Sequence, residues 1–204
     1  MPNWVDNELI VKDLSNTNKF KSFQDIIRDC FISNSSIAMS LYPLPDDIRS
    51  VDGWSDESAH YWEDSKGNKV EPPTMEERFG KEFSKKYMQR KLTEDELNNL
   101  KQKYGASNWY DWNILNYGTK WSDARTEFIE VEGDRIVVAF ESAWTPMWKL
   151  AQNISKDYEC EVQLNHHSWE NMQEGHLLFM NGDMVDDELY QIDPAELYGE
   201  DEEE

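Results

Sequence analysis

Cysteine is scarce in this chain of 204 residues: there are two, Cys30 and Cys160. Two cysteines do not make a disulfide framework. Cys30 falls on the apolar face of an expected helix and Cys160 in an expected strand, so both are read as reduced core residues rather than a redox pair or metal ligands. That reading points to the cytoplasm. Long apolar runs are also missing. No stretch approaches the roughly 18 apolar residues of a membrane span, so no membrane association is expected. The opening Met1-Pro2-Asn3-Trp4-Val5-Asp6 has no basic region followed by an apolar run, and no secretory signal is expected there. Gly105 and Gly118 are lone turn glycines, and no glycine loop that would cradle phosphate is present. Neither a Ser/His/Asp nor a Cys/His signature can be placed. No catalytic residue, metal ligand set or cofactor is therefore expected, and there is no internal repeat.

Positive charge is in short supply as well. Lys and Arg number 20 against 42 Asp and Glu, a net charge of −22. From Asp183 to Glu204 there are eleven acids and no Lys or Arg. Such a field repels phosphate backbones and anionic lipid, which disfavours direct nucleic-acid binding and favours a basic partner. What the chain has in quantity is aromatics: nine Trp, nine Tyr and eight Phe. With this length they supply a sizeable core.

Along the chain, residues 3–12 read as a strand, and Ser15 to Asn18 as a turn that caps a helix. Phe20, Phe23, Ile27, Cys30 and Phe31 recur at helical spacing over about 19–32. Ile37 to Tyr42 reads as a short extended run, stopped by Pro43-Leu44-Pro45. Residues 46–74 read as a long surface loop. A helix is expected over about 75–91 from Phe79, Phe83 and Tyr87. Thr93-Glu94-Asp95-Glu96 is a capping box for another helix, which Gly105 ends. Ser107-Asn108 caps a short aromatic helix. A hairpin spans 126–142, Thr145-Pro146 opens a helix to about Lys156, and strands follow over 159–166 and 176–180.

With residues 33–122 set aside, a βαββαβ split unit remains. The expected fold is α+β: a ferredoxin-like sheet over 1–182 with a mainly helical inserted subdomain over 33–122. An acidic tail follows over 183–204, expected to be partly disordered.

Four segments carry a family resemblance. They are Met1-Pro2-Asn3-Trp4, Tyr42-Pro43-Leu44-Pro45, Trp109-Tyr110-Asp111-Trp112 leading to Asn116-Tyr117-Gly118-Thr119-Lys120-Trp121, and Phe140-Glu141-Ser142-Ala143-Trp144-Thr145-Pro146. Together they resemble the YubB-like family of phage and plasmid proteins over most of residues 1–182. The resemblance implies a ferredoxin-like domain and a mobile genetic element, most simply a phage, as the source. It implies no reaction. The chain departs from the family at Val5, Tyr117 and Met147, and in the segment His166 to Met172.

The candidate ligand-binding set is Trp109, Trp112, Asn116, Lys120, Trp121 and Trp144. Aromatic faces stack a base and Lys120 holds a phosphate in one reading; in the other, preferred, the tryptophans form a seam between insertion and sheet. Lys120, Asp123 and Arg125 are expected as a salt bridge that pins the turn. His166 and His167 are neighbours on a strand, point to opposite faces and make a poor chelating pair. Lys81, Lys85, Lys86, Arg90, Lys91, Lys101 and Lys103 are expected on solvated helix faces, screened by the acidic tail. The candidate partner-binding acids are Asp183, Asp186, Asp187, Glu188, Asp193, Glu196, Glu200 and Asp201. The functional expectation is a phage-type accessory protein of the host cytoplasm. It engages or inhibits a basic host protein, as counter-defence or by a DNA-like acidic surface. The alternative is a nucleotide or small-ligand site, enzymatic or not, in an aromatic cleft between insertion and sheet. Oligomeric state is not specified.

Overall fold

The computed structural model describes residues 3–14, 18–130 and 133–193. In chain order the elements are β1 (Trp4–Asp13), α1 (Asn18–Ser33), α2 (Ile37–Leu41), α3 (Asp46–Arg49), β2 (Val51–Asp52), β3 (His60–Asp64), β4 (Lys69–Val70), α4 (Met75–Arg78), α5 (Phe83–Lys86), β5 (Tyr87–Lys91), α6 (Glu94–Tyr104), α7 (Trp109–Tyr117), β6 (Ala124–Glu130), β7 (Arg135–Ala143), α8 (Trp148–Tyr158), β8 (Cys160–Ser168), β9 (Gln173–Met180) and β10 (Asp183–Gln191). Two compact units divide the chain: Met1–Tyr42 with Asn116–Glu204, and Pro43–Leu115. No helix among the described residues is long and apolar enough to cross a membrane.

In the first unit, β1, α1, β6, β7, α8 and β8 follow the βαββαβ order. The sheet runs β10-β9-β8-β1-β7-β6, with antiparallel neighbours throughout. This is the ferredoxin-like α+β arrangement, extended past β8 by two more strands. One face packs on α1 and α8. Val5, Leu9 and Val11 of β1 are at most 1% exposed and meet Phe20, Phe23, Ile27 and Cys30 of α1 and Leu150, Ala151 and Ile154 of α8 in the core. The Phe23 and Tyr158 rings join the two helices at 5.1 Å. Each Val, Leu, Ile or Phe among them contributes about 1.5–3 kcal/mol when fully buried. Both cysteines are free and buried, and burial pushes the Cys160 thiol up to about 12.

Three local expectations change in this unit. Ile37 to Leu41 is helical, not extended. The Ser36 hydroxyl caps it by accepting from Met39 N–H, and the Asp123 carboxylate accepts from the Ile37 and Ala38 N–H groups at 3.1 and 2.9 Å. The next helix starts later than Thr145 and has Met147 at its N-cap, because the Thr145 hydroxyl is spent on the Gly118 carbonyl at 3.0 Å. Asp183 to Gln191, expected as the start of a tail, is strand β10, paired with β9 along its length. The capping turn expected at Ser15 to Thr17 and the terminal residues from Pro194 onward lie outside the described residues.

The second unit holds more strand than its polar sequence announces. β3 pairs antiparallel with β2, β4 and β5, so the span read as a surface loop over 46–74 contributes most of a small sheet. The helix expected over 75–91 is two short turns, α4 and α5, followed by β5. Phe83 and Tyr87 do meet, ring to ring at 5.4 Å, and Phe83 packs on Trp62 at 5.3 Å. The expected capping box Thr93/Glu96 is formed, and Thr74/Glu77 makes a second that the sequence reading did not name. Gly105 ends α6 with a φ of 78°, the left-handed backbone that favours glycine. Five of the seven basic residues singled out in the sequence form ion pairs inside the unit. Arg90 bridges Glu63 and Glu96, Lys101 meets Asp56, Lys103 meets Asp47, Lys86 meets Glu77 and Lys85 meets Glu82.

Candidate functional site

A β-strand alternates its side chains between two faces. In β1 the inward positions Val5, Leu9 and Val11 are apolar, and Asp6 and Glu8 between them point away from α1 and α8. Directly opposed residues of neighbouring strands share a face. The register therefore builds two rungs across the helix-free face. The first runs Glu141, Asp6, His167, Glu174, Tyr190 from β7 to β10. The second runs Ala139, Glu8, Asn165, His176, Glu188 over the same five strands. Neither rung contains Lys or Arg. Arg125 reaches the β7 end, where its Nη1 donates to both Glu141 oxygens at 2.6 and 2.8 Å.

Between the rungs lies a cavity of about 440 Å³. It is an open cavity lined by the rung residues of β1, β8 and β9, with Ala139 of β7 and Tyr190 of β10 at its two sides, and bordered by Asn7, His166 and Gly175. The small Ala139 side chain leaves room that a longer one would fill. The acids keep accepting capacity. Asp6 Oδ2 takes one bond from Trp169 Nε1 at 3.1 Å, and Glu8 Oε2 takes one from Asn165 Nδ2 at 2.8 Å. A carboxylate has about four lone-pair positions. No hydrogen bond or ion pair within the described residues occupies the Glu174 carboxylate. His167 stacks on Trp169 with ring centroids 3.9 Å apart, and its Nε2 is buried without a partner among the described residues. His176 Nε2 faces Asp186 at 3.2 Å. Burial pushes the His166 imidazole below the ordinary histidine value; Asp187 opposes this, and His176 and His167 reinforce it. The cavity suits a positively charged donor and rejects an anion.

The sequence-selected tryptophans belong to two units. Trp109 and Trp112 stand on α7 in the second unit, Trp112 buried and Trp109 packed edge-on to Tyr110 at 5.8 Å. Lys120, Trp121 and Trp144 come together in the first unit with Trp4. Trp121 lies 6.3 Å from Trp4 and 5.4 Å from Trp144, and Lys120 Nζ sits over the Trp144 and Trp121 rings at 3.8 and 4.2 Å. Trp144 holds a φ of 65°, rare for a bulky residue. The Asn116 carbonyl accepts from Asn153 Nδ2 at 3.1 Å. The expected Lys120–Asp123–Arg125 bridge gives way to three separate roles. Asp123 caps α2 and also accepts from the Ser36 and Thr126 hydroxyls, both at 2.6 Å. Arg125 pairs with Glu141, and Lys120 lies on the tryptophans.

Of the acidic segment, Asp183, Asp186, Asp187 and Glu188 stand on β10 and Asp193 follows it; Glu196, Glu200 and Asp201 lie outside the described residues. No group of three or more His, Cys, Asp or Glu among the described residues is placed to hold a metal ion. Sequence reasoning passed over Asp6, Glu8, Glu174, His176 and Tyr190. The alternation Val5-Asp6-Asn7-Glu8-Leu9 was their one local signal; their alignment across strands was not visible.

Residues 116–204 match a family model described as the ferredoxin-like domain in Api92-like protein. That span takes in β6, β7, α8, β8, β9 and β10. Among solved structures, the crystal structure of a protein api92 from Yersinia pseudotuberculosis is similar at 14% identity, over 95% of this chain and 100% of that one, with a TM-score of 0.45. No curated protein matches the chain.

Proposed function

We propose that this chain is a non-catalytic binding protein whose helix-free sheet face engages a basic partner. The observation that carries the reading is the pair of rungs, which set Asp6, Glu8, Glu174 and Glu188 on one rigid surface with no Lys or Arg among them. Fixed acids of this kind steer and orient a cationic surface, which a loose acidic tail does less well. The motif resemblance supports a phage or other mobile element as the source, and a cytoplasmic host protein as the partner. The acids of β10 border the same face and extend its field. Retention of host proteins on the immobilised chain tests this at low and high salt, beside an Asp6→Asn/Glu8→Gln/Glu174→Gln variant. Basic proteins retained by the wild type at low salt are lost from the variant; an identical retained set on both overturns the reading.

The exposed Trp121 and Trp144 rings, with the half-buried Trp4 beside them, favour a second reading, a nucleotide stacked beside Lys120 and Arg125. A thermal-shift series with nucleotides checks it, since a specific ligand raises the midpoint. No shift with any of them removes it.

A further inference from the structure

We infer that the cavity between the two rungs is a guanidinium pocket, which takes an arginine side chain of the basic partner. This rests on the reading of the helix-free face as the seat of that partner, and names the group it recognises.

The acceptors are strung out rather than gathered. Asp6, His167 and Glu174 stand opposite one another on three adjacent strands, roughly 5 Å from one strand to the next. Glu8 lies on the second rung, two residues further along β1. An ammonium is a compact point charge that meets one or two of these acceptors at a time. A guanidinium carries five N–H donors in a flat fork and spans separated acceptors. Its plane also lies well on rings, and the His167, His176 and Tyr190 rings line the same cavity. The buried, unpartnered Nε2 of His167 is an acceptor, in the tautomer protonated at Nδ1, placed between the Asp6 and Glu174 positions. A donor reaching it satisfies an atom that has no bond among the described residues, and an unmade buried hydrogen bond is costly. The cavity volume of about 440 Å³ lies within the ~300–1,000 Å³ of ordinary ligand sites. A phosphate or carboxylate ligand is excluded by Asp6, Glu8 and Glu174. A metal ion lacks the converging ligand set among the described residues.

The test is titration calorimetry of the full chain with three peptides of equal length, hexaarginine, hexalysine and hexacitrulline, at about 0.15 M salt to screen long-range attraction. Hexaarginine is expected to bind about tenfold more tightly than hexalysine, and hexacitrulline not to bind. Glu174→Gln and His167→Ala are each expected to remove most of the preference for arginine over lysine, with circular dichroism and melting temperature confirming the fold. Asp25→Asn, on the exposed face of α1, leaves it unchanged. Equal binding of hexaarginine and hexalysine overturns the guanidinium pocket and leaves the acidic face standing. Failure of both cationic peptides to bind overturns the pocket and the broader reading together. The wild-type comparison stands even where a variant fails to fold.

Discussion

Asp123 shows how much one side chain decides. Its carboxylate accepts from two backbone N–H groups and two hydroxyls, which fixes the start of α2 and the entry to β6. Asp123→Ala leaves buried donors without partners and is expected to destabilise the chain by about 3 kcal/mol in urea denaturation. Asp123→Asn, which keeps an acceptor, is expected to lose less. In sequence Asp123 stands 87 positions from Ser36, so nothing local marks it as a cap, and Ile37 to Tyr42 reads as extended without it. His166 carries a pH dependence of its own. Its folded imidazole binds protons more weakly than an unfolded one, because burial and the neighbouring His176 and His167 outweigh Asp187. The unfolded state therefore takes up more protons, and the stability His166 contributes to is present above the ordinary histidine range and falls as pH drops through about 6.5. His166→Gln is expected to flatten the loss between about pH 7 and 5; an unchanged slope in equilibrium unfolding rejects that assignment.

At the scale of elements, legibility follows the length and regularity of the pattern. β1, α1, β7 and α8 announce themselves because one face is apolar at a fixed period and the other is not. The strands of the second unit do not. β2 and β4 are two residues each, too short to show a period, and β3 finds its longest partner in β5, more than twenty residues away. Phe79, Phe83 and Tyr87 share a helical spacing, but Gly80 interrupts the run and Phe79 is left exposed. β10 is the plainest miss. Its acids read as a solvated tail, yet backbone pairing with β9 needs no apolar side chain. That pairing depends on close approach at Gly175, where a Cβ would run into the Glu188 carbonyl oxygen. Gly175→Ala is expected to free β10, seen as faster hydrogen exchange over 183–191 with the α1 and α8 amides unaffected. The Thr93/Glu96 capping box has its own acid limit. The Arg90 guanidinium, and then the Thr93 N–H, hold Glu96 down at about 2. Its contribution is complete above about 4.5, the ordinary glutamate range, and is lost as pH falls towards 2. Thr93→Ala is expected to cost about 1 kcal/mol, read from guanidinium melts.

Across the whole molecule, charge has two arrangements. In the Pro43–Leu115 unit, Arg90 and half of the lysines are tied to nearby acids; on the helix-free face of the other unit, Asp6, Glu8, Glu174 and Glu188 stand together with no Lys or Arg on either rung, and Arg125 reaches only Glu141 at the β7 end. The net charge of −22 could be read from composition, but its placement needed strand register, which a single sequence does not display. Self-repulsion on this scale opposes the compact state. Added sodium chloride, which shortens the screening length from ~30 Å at 0.01 M to ~8 Å at 0.15 M, is expected to raise the melting temperature; a fall shows that the ion pairs of the second unit matter more than the repulsion. The two cysteines have a different use. Both thiols are buried, and Cys160 stays protonated at neutral pH, so neither competes for thiol-directed reagents while the chain is folded. A single cysteine introduced at an exposed site such as Asp25 would take a fluorophore or spin label alone, giving a site-specific spectroscopic reporter on an otherwise native sequence.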